Sequence, residues 1–269
     1  MSCLSFAQRS VVLALPVLLL PLLLLTGGPV SGADLLPGST LTLPFPQLPH
    51  DRHDQASSCE IKLPANYAPD KSYPLVVWLE GGDGGNKPQT PFLPEGDFVT
   101  VGLPFPLGAN QPSTPHLVGD FPAIWKYHRT MLEEIHRRIP NLDRRRSIIA
   151  GFSNGAHAID GMLKLKVTPG EGPGLASFFG IFILVEGGGW DVTEGEYPDC
   201  TGKFAYLAMG EKSSLLRVVP RAAKEFLAHG ASMHLSMMAG TKHEFADFEK
   251  ETIRKWLAEE ALPGLANER

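Results

Sequence analysis

A serine enclosed by glycines, Gly151-Phe152-Ser153-Asn154-Gly155, ends the apolar run Ser147–Ala150 and precedes a segment of helical spacing carrying Ala156, Ile159, Met162 and Leu163. A serine at a sharp strand-to-helix turn must adopt a strained backbone for its hydroxyl to project, and side chains on either flank would collide there. Glycine on both sides answers that need, and the helix beyond aims its positive end at charge developing on the substrate. The pattern makes Ser153 a candidate nucleophile; the plain alternative is a serine in a tight connection. A hydroxyl attacks a carbonyl only with a base in hydrogen-bond reach. His243, between a strand ending near Met238 and a closing helix, stands in the order and place such a base takes. His157, one helical turn past Ser153, could line the site, with a structural role the plainer reading; His116 lies in a loop, His128 on a helix, and His229 precedes a helix-ending glycine where a cation suits the dipole.

An oxyanion needs backbone amides at its future position. "WLEGGDGGN" closes another apolar strand, and an amide of Gly82 or Asp83 would join that of Asn154. A phosphate cradle is the rival for such glycines, but the Lys-Ser/Thr pair of a P-loop is missing. The acid that orients the base has two candidates. Glu186 ends an apolar strand just before three glycines, and Glu211 lies on the turn after the next strand. A serine–histidine pair without an acid is the remaining alternative.

These residues need a scaffold. Short apolar, β-branched runs ("YPLVVWLE", "DFVTVGLP", "RSIIAGF", "FFGIFILVE", "KFAYLAMG", "ASMHLSMMAG") alternate with amphipathic stretches. Phe121–Ile139 places Ile124, Tyr127, Met131, Leu132, Ile135 and Ile139 on one face. Continuous apolar strands between such helices predict an α/β chain with a mostly parallel central sheet and helices on both faces. Ligands bind at the carboxyl ends of such strands, where Ser153, Glu186, Glu211 and His243 all fall. No long insertion separates the strands ending at Val185 and Met209, so no large cap domain is expected. The loops Gly84–Glu95 and Pro104–Pro122 are expected to wall an open cleft.

The remaining features bound the setting. The 269 residues are 43% hydrophobic and 20% charged with a formal net charge of −5, and Arg144–Arg146 is the lone basic run, which excludes nucleic acid as a partner. Arg9, the apolar run Val11–Leu25 broken by Pro16 and Pro21, and Ser31-Gly32-Ala33 read as a signal peptide over residues 1–33. The chain is therefore expected to be secreted or periplasmic with no stable membrane anchor after cleavage. Residues 34–58 are proline-rich and read as a leader or linker, leaving residues 59–269 as the domain. The cluster His50, Asp51, His53 and Asp54 fits no metal spacing, and no cofactor is called for. Cys59 and Cys200 remain after cleavage; in an exported chain they either form one disulfide or stay as buried thiols.

The ordered set "LVVWLEGGDGG", "GFSNGA", "AMGEKSS" and "GTKHEF" resembles the α/β-hydrolase superfamily. Within it the chain is most similar to secreted esterases of the polyhydroxybutyrate-depolymerase, feruloyl-esterase and dienelactone-hydrolase-like type. The resemblance implies the α/β-hydrolase fold over Cys59–Leu262 and a serine esterase acting on a small or polymeric carboxylic ester through an acyl-enzyme. Two positions depart from it. Glu80-Gly81 stands where relatives carry His-Gly, and Ser213 stands where they carry the acid of a Gly-x-x-Asp turn. Those departures raise a second class, a catalytically impaired binding protein on the same fold. Peptidase or acyltransferase chemistry through the same residues is a third.

Overall fold

The computed structural model describes residues 35–167, 170, 172–190 and 195–267; the segment read as a signal peptide lies outside them. Among the described residues ten strands appear in chain order: β1 (Thr40–Pro44), β2 (Ser58–Lys62), β3 (Leu75–Leu79), β4 (Val99–Gly102), β5 (Asn110–Gln111), β6 (Thr114–Val118), β7 (Ile148–Phe152), β8 (Ile181–Val185), β9 (Phe204–Gly210) and β10 (Ser232–Met238). Eight of them form one sheet in the order β1-β2-β4-β3-β7-β8-β9-β10, and β5 and β6 pair by themselves. Strands β3, β4, β7, β8, β9 and β10 run parallel, while β1 and β2 add an antiparallel edge.

The helices are α1 (Phe121–Arg138), α2 (Asn154–Leu163), α3 (Val219–Ala228), α4 (Asp247–Trp256) and α5 (Leu262–Asn267). Helix α1 starts for a local reason. Asp120 caps α1 by accepting the Ala123 amide at 3.0 Å, and Pro122 occupies its first turn, where no amide is missed. Alternate residues of the central strands point to opposite faces. Leu75, Val77 and Leu79 of β3 pack with α1, α2 and α3, whereas Val76 and Trp78 pack with Ile253, Trp256 and Leu265 of α4 and α5. Both faces are therefore dry, which explains why these strands are apolar throughout. No helix among the described residues is long and apolar enough to cross a membrane. Residues 186–190 and 195–203, between β8 and β9, carry no helix, in keeping with the expected absence of a large cap.

Two expectations are corrected here, and one open alternative, the state of the cysteines, is decided. The stretch 34–58 is not a detached leader. Its residues Thr40–Pro44 are the edge strand β1, paired with β2, and Phe45 is fully buried. Prolines at the strand's end hid it, since an edge strand tolerates the lost amide. Cys59 and Cys200 are both free and buried. Cys59 lies on β2 and Cys200 just before β9, five places apart in the sheet. At about 4.8 Å per strand that is roughly 24 Å, far beyond a disulfide's reach. The loop Gly84–Glu95 does not wall the cleft. Phe92 packs in tilted contact with Trp78 and Phe245, ring centroids 5.9 and 6.2 Å apart, and Arg254 donates to the Leu93 carbonyl at 3.0 Å, so the loop serves the α4 face.

Candidate active site

Ser153 begins at the backbone. It has φ +53 and ψ −113, a region that L-residues seldom enter and that costs about 1–3 kcal/mol. The flanking glycines have ordinary φ; what they supply is room. A Cβ on Gly151 would lie 2.4 Å from the Gly155 carbonyl carbon, and one on Gly155 would lie 1.9 Å from the Leu79 carbonyl oxygen. Glycine is therefore required because α2 crosses the end of β3 and β7 in van der Waals contact. Glu186, at the end of the adjacent β8, also has positive φ, +54. Two neighbouring strands thus end in a strained non-glycine residue.

These two residues and His243 form one hydrogen-bonded line. Nε2 of His243 lies 2.8 Å from the Ser153 hydroxyl, and Nδ1 lies 2.8 Å from Oε2 of Glu186. A carboxylate only accepts, so Nδ1 carries the ring proton and Nε2 accepts from the serine. The ring rests on Phe152 with centroids 5.3 Å apart. Glu186 is completely buried. Burial pushes its carboxyl upward, but the His243 ring, the Ser213 hydroxyl at 2.6 Å and the Gly210 amide outweigh it. The group is held below its ordinary value and stays ionised. Glu211, the other candidate acid, does not reach the histidine. Its carboxylate accepts the Gly240 amide at 2.7 Å and braces the turn after β10. Its place two residues before Ser213 aims it across the outside of that turn, whereas the end of β8 aims Glu186 inward.

Gly82, Ser153, Asn154 and His243 line one cleft of about 400 Å³. Among the described residues the backbone amides of Gly82 and Asn154 have no hydrogen-bond partner. Asp83, the alternative to Gly82, does not line the cleft; its carboxylate turns to Arg52 at 3.1 Å. The Asn154 side chain has a role that the motif does not reveal. Its amide nitrogen donates to the carbonyls of Gly82 and His116, both at 2.8 Å, and so ties the glycine turn to the β5–β6 hairpin. That hairpin lies within the loop Pro104–Pro122 and supplies His116 and Leu117 to the cleft, one wall as expected. The other walls are Trp190, Ser214 and Leu215.

Sequence reasoning missed Arg52, on the segment read as a linker. Its side chain is only 5% exposed. The guanidinium donates to the Gly82 carbonyl at 3.2 Å and the Pro115 carbonyl at 3.3 Å, besides pairing with Asp83. One planar, five-donor group thus clamps the glycine turn and the hairpin together. The His53 ring nitrogen lies 3.0 Å from the Gly84 carbonyl, reinforcing the same turn. Nothing in the spacing of residues 34–58 signals this role; the arginine had only the appearance of a solvated charge.

The turn after Glu186 is fastened to α2 by two side chains. The Gly188 amide donates to His157 Nδ1 at 3.0 Å, and Lys164, at the C-terminal end of the helix, donates to the Trp190 carbonyl at 3.3 Å. Tyr197 and Lys164 satisfy the buried Asp160 carboxylate at 2.5 and 3.3 Å. Among the described residues no group of three His, Cys, Asp or Glu side chains is placed to hold a metal ion.

No family model and no curated protein matches the sequence. Solved structures do. A CE1 ferulic acid esterase from Anaeromyces mucronatus is similar with a TM-score of 0.59 and 11% identity, over 89% of this chain and 96% of that one. A carboxylesterase from Mesorhizobium loti gives 0.57 and 15%, over 81% and 99%. The Bacillus cereus carboxylesterase gives 0.57 and 15%, over 72% and 92%. Strand order, the parallel register of the central strands, the placement of helices on both faces and these likenesses agree: the chain has the α/β-hydrolase fold.

Proposed function

We propose that this protein is a serine hydrolase that cleaves carboxylic esters. The observation that carries the reading is the line from Ser153 through His243 to Glu186, open to a cleft bordered by two unpartnered amides. His243 takes the hydroxyl proton as Ser153 Oγ bonds to the ester carbonyl carbon. Glu186 keeps the imidazole in the tautomer that can accept and stabilises its charge once it has. The Gly82 and Asn154 amides, with the first turn of α2 behind them, hold the oxyanion. His243 then returns the proton to the departing alcohol, leaving an acyl-serine. Water, deprotonated by the same ring, releases the acid and restores the serine.

Glu186 supplies a carboxylate that the residue at 213 lacks, and this favours an active enzyme over an impaired binding protein. The structural likenesses support ester chemistry, because proteins described as carboxylesterases and a ferulic acid esterase share the fold. Export rests on the pattern of residues 1–33, and cleavage after Ala33 would leave Asp34 as the first residue.

A fluorophosphonate probe reacts with an activated serine and not with an ordinary one. Wild type is expected to take the label and to hydrolyse p-nitrophenyl acyl esters, and Ser153→Ala is expected to do neither. Persistent labelling of Ser153→Ala, or an unlabelled wild type, defeats the reading. Matched ester, amide and alcohol-acceptor assays separate the esterase from a peptidase or an acyltransferase.

A further inference from the structure

His157 stands in the cleft without a part in the chemistry described above. It is 4% exposed and lines the same space as Ser153 and His243. Its ring is fixed on two sides. It stacks on Trp190 with centroids 4.5 Å apart and planes inclined by 12°, and Nδ1 accepts the Gly188 amide at 3.0 Å. A neutral imidazole that accepts at Nδ1 carries its proton on Nε2. Burial, then the nearby His243, lowers its pKa to about 4, so the ring is neutral at physiological pH. Nε2 has no partner among the described residues, and it is not among the polar atoms sealed from solvent without one. The little surface that His157 retains therefore includes an N–H of fixed direction, and the space beside it is the cleft.

A desolvated donor of this kind discriminates. A ligand that leaves it unpaired forfeits the hydrogen bond that water supplied. The chemistry of the acceptor is also bounded. Among the described residues no Lys or Arg side chain lines the cleft, and the ionised Glu186 lies behind His243. Both disfavour a carboxylate or phosphate there, which leaves an uncharged oxygen. Trp190, Leu117 and Leu215 offer apolar walls for the carbon around it.

We propose that the Nε2–H of His157 is a specificity-determining donor for an uncharged oxygen carried by the substrate beside its scissile ester, so that the cleft prefers ether-, hydroxyl- or carbonyl-bearing esters to all-carbon esters of equal length. The inference rests on the serine-hydrolase reading and adds the substrate class.

Two matched pairs test it. On the acyl side they are p-nitrophenyl methoxyacetate and p-nitrophenyl butyrate; on the alcohol side, 2-methoxyethyl acetate and butyl acetate. Each kcat/KM is divided by that ester's hydroxide rate constant, which removes intrinsic reactivity. Wild type is expected to favour the oxygen-bearing member of at least one pair by about tenfold, the worth of one hydrogen bond to a buried donor. His157→Phe keeps an aromatic ring against Trp190 and loses the donor, so its normalised ratio should fall to near one. Wild-type ratios near one in both pairs, or a preference that survives in His157→Phe, overturn the proposal and leave the hydrolase reading standing. Should His157→Phe not fold, the wild-type ratios alone decide. No turnover of any ester together with an unlabelled Ser153 removes the hydrolase reading, and this inference with it.

Discussion

Ser213 occupies the place where the superfamily resemblance leads one to look for an aspartate, and its hydroxyl donates to Glu186 at 2.6 Å. In this chain the carboxylate facing His243 stands at the end of β8, and the hydroxyl at 213 supports it. This arrangement has consequences that can be measured. Glu186→Gln can no longer hold the His243 tautomer or balance its charge. It is expected to lower kcat by about 10³–10⁴-fold, whereas Glu211→Gln should change it less than about twofold; steady-state rates with one activated ester suffice for both. The same network has an acid signature. Glu186 sits below its ordinary value of 4.5, so its contribution to stability is full above the unfolded value and is lost as pH falls through the lower folded value. Ser213→Ala removes one donor and moves the folded value up. Its stability deficit relative to wild type is therefore expected to be full above 4.5 and to shrink in more acid solution, as read from urea midpoints along a pH series.

At the level of elements, the glycines of the serine motif matter through packing. Gly155 lets α2 touch the carboxyl end of β3, and a methyl there would meet the Leu79 carbonyl oxygen at 1.9 Å. Gly155→Ala is expected to destabilise the fold by about 3 kcal/mol or more, the upper range for overpacking, because backbone must move; thermal or urea unfolding reads it. Gly82 differs, since a Cβ there meets nothing within 4 Å and only its φ of +57 resists substitution. The N-terminal segment acts on the site through Arg52, which spans the glycine turn and the β5–β6 hairpin. Arg52→Gln is expected to lower kcat about tenfold with a smaller change in KM, since a loosened oxyanion turn is felt in the transition state more than in the ground state. An effect confined to KM, or to thermal stability with kcat intact, argues against that positioning role.

On the scale of the whole molecule, the wound sheet brings residues 90 positions apart into hydrogen-bond contact at one edge. It keeps the two cysteines at opposite ends. Both thiols are buried, and burial above all raises Cys59 to about 12 and Cys200 to about 11. They are therefore poor nucleophiles at neutral pH. Reductant is expected to leave the melting temperature unchanged, and non-reduced and reduced protein should migrate alike on a denaturing gel. A shift in either would mean that the two residues pair after all.

Local pattern was enough for the central strands, for α1 and for the turn at Ser153, because apolar periodicity and glycine placement act over a few residues. It also placed His243 on the loop between the last strand and the closing helix, where the structure has it. What the chain order could not supply was the choice between Glu186 and Glu211. They lie on successive strand ends of similar appearance, and only the direction each side chain leaves its strand separates them. Arg52, the second use of Asn154, the unpartnered Nε2 of His157 and the separation of Cys59 from Cys200 were equally out of reach. Each depends on distances between segments far apart in the chain, and such distances exist only once the sheet has set the order of its strands.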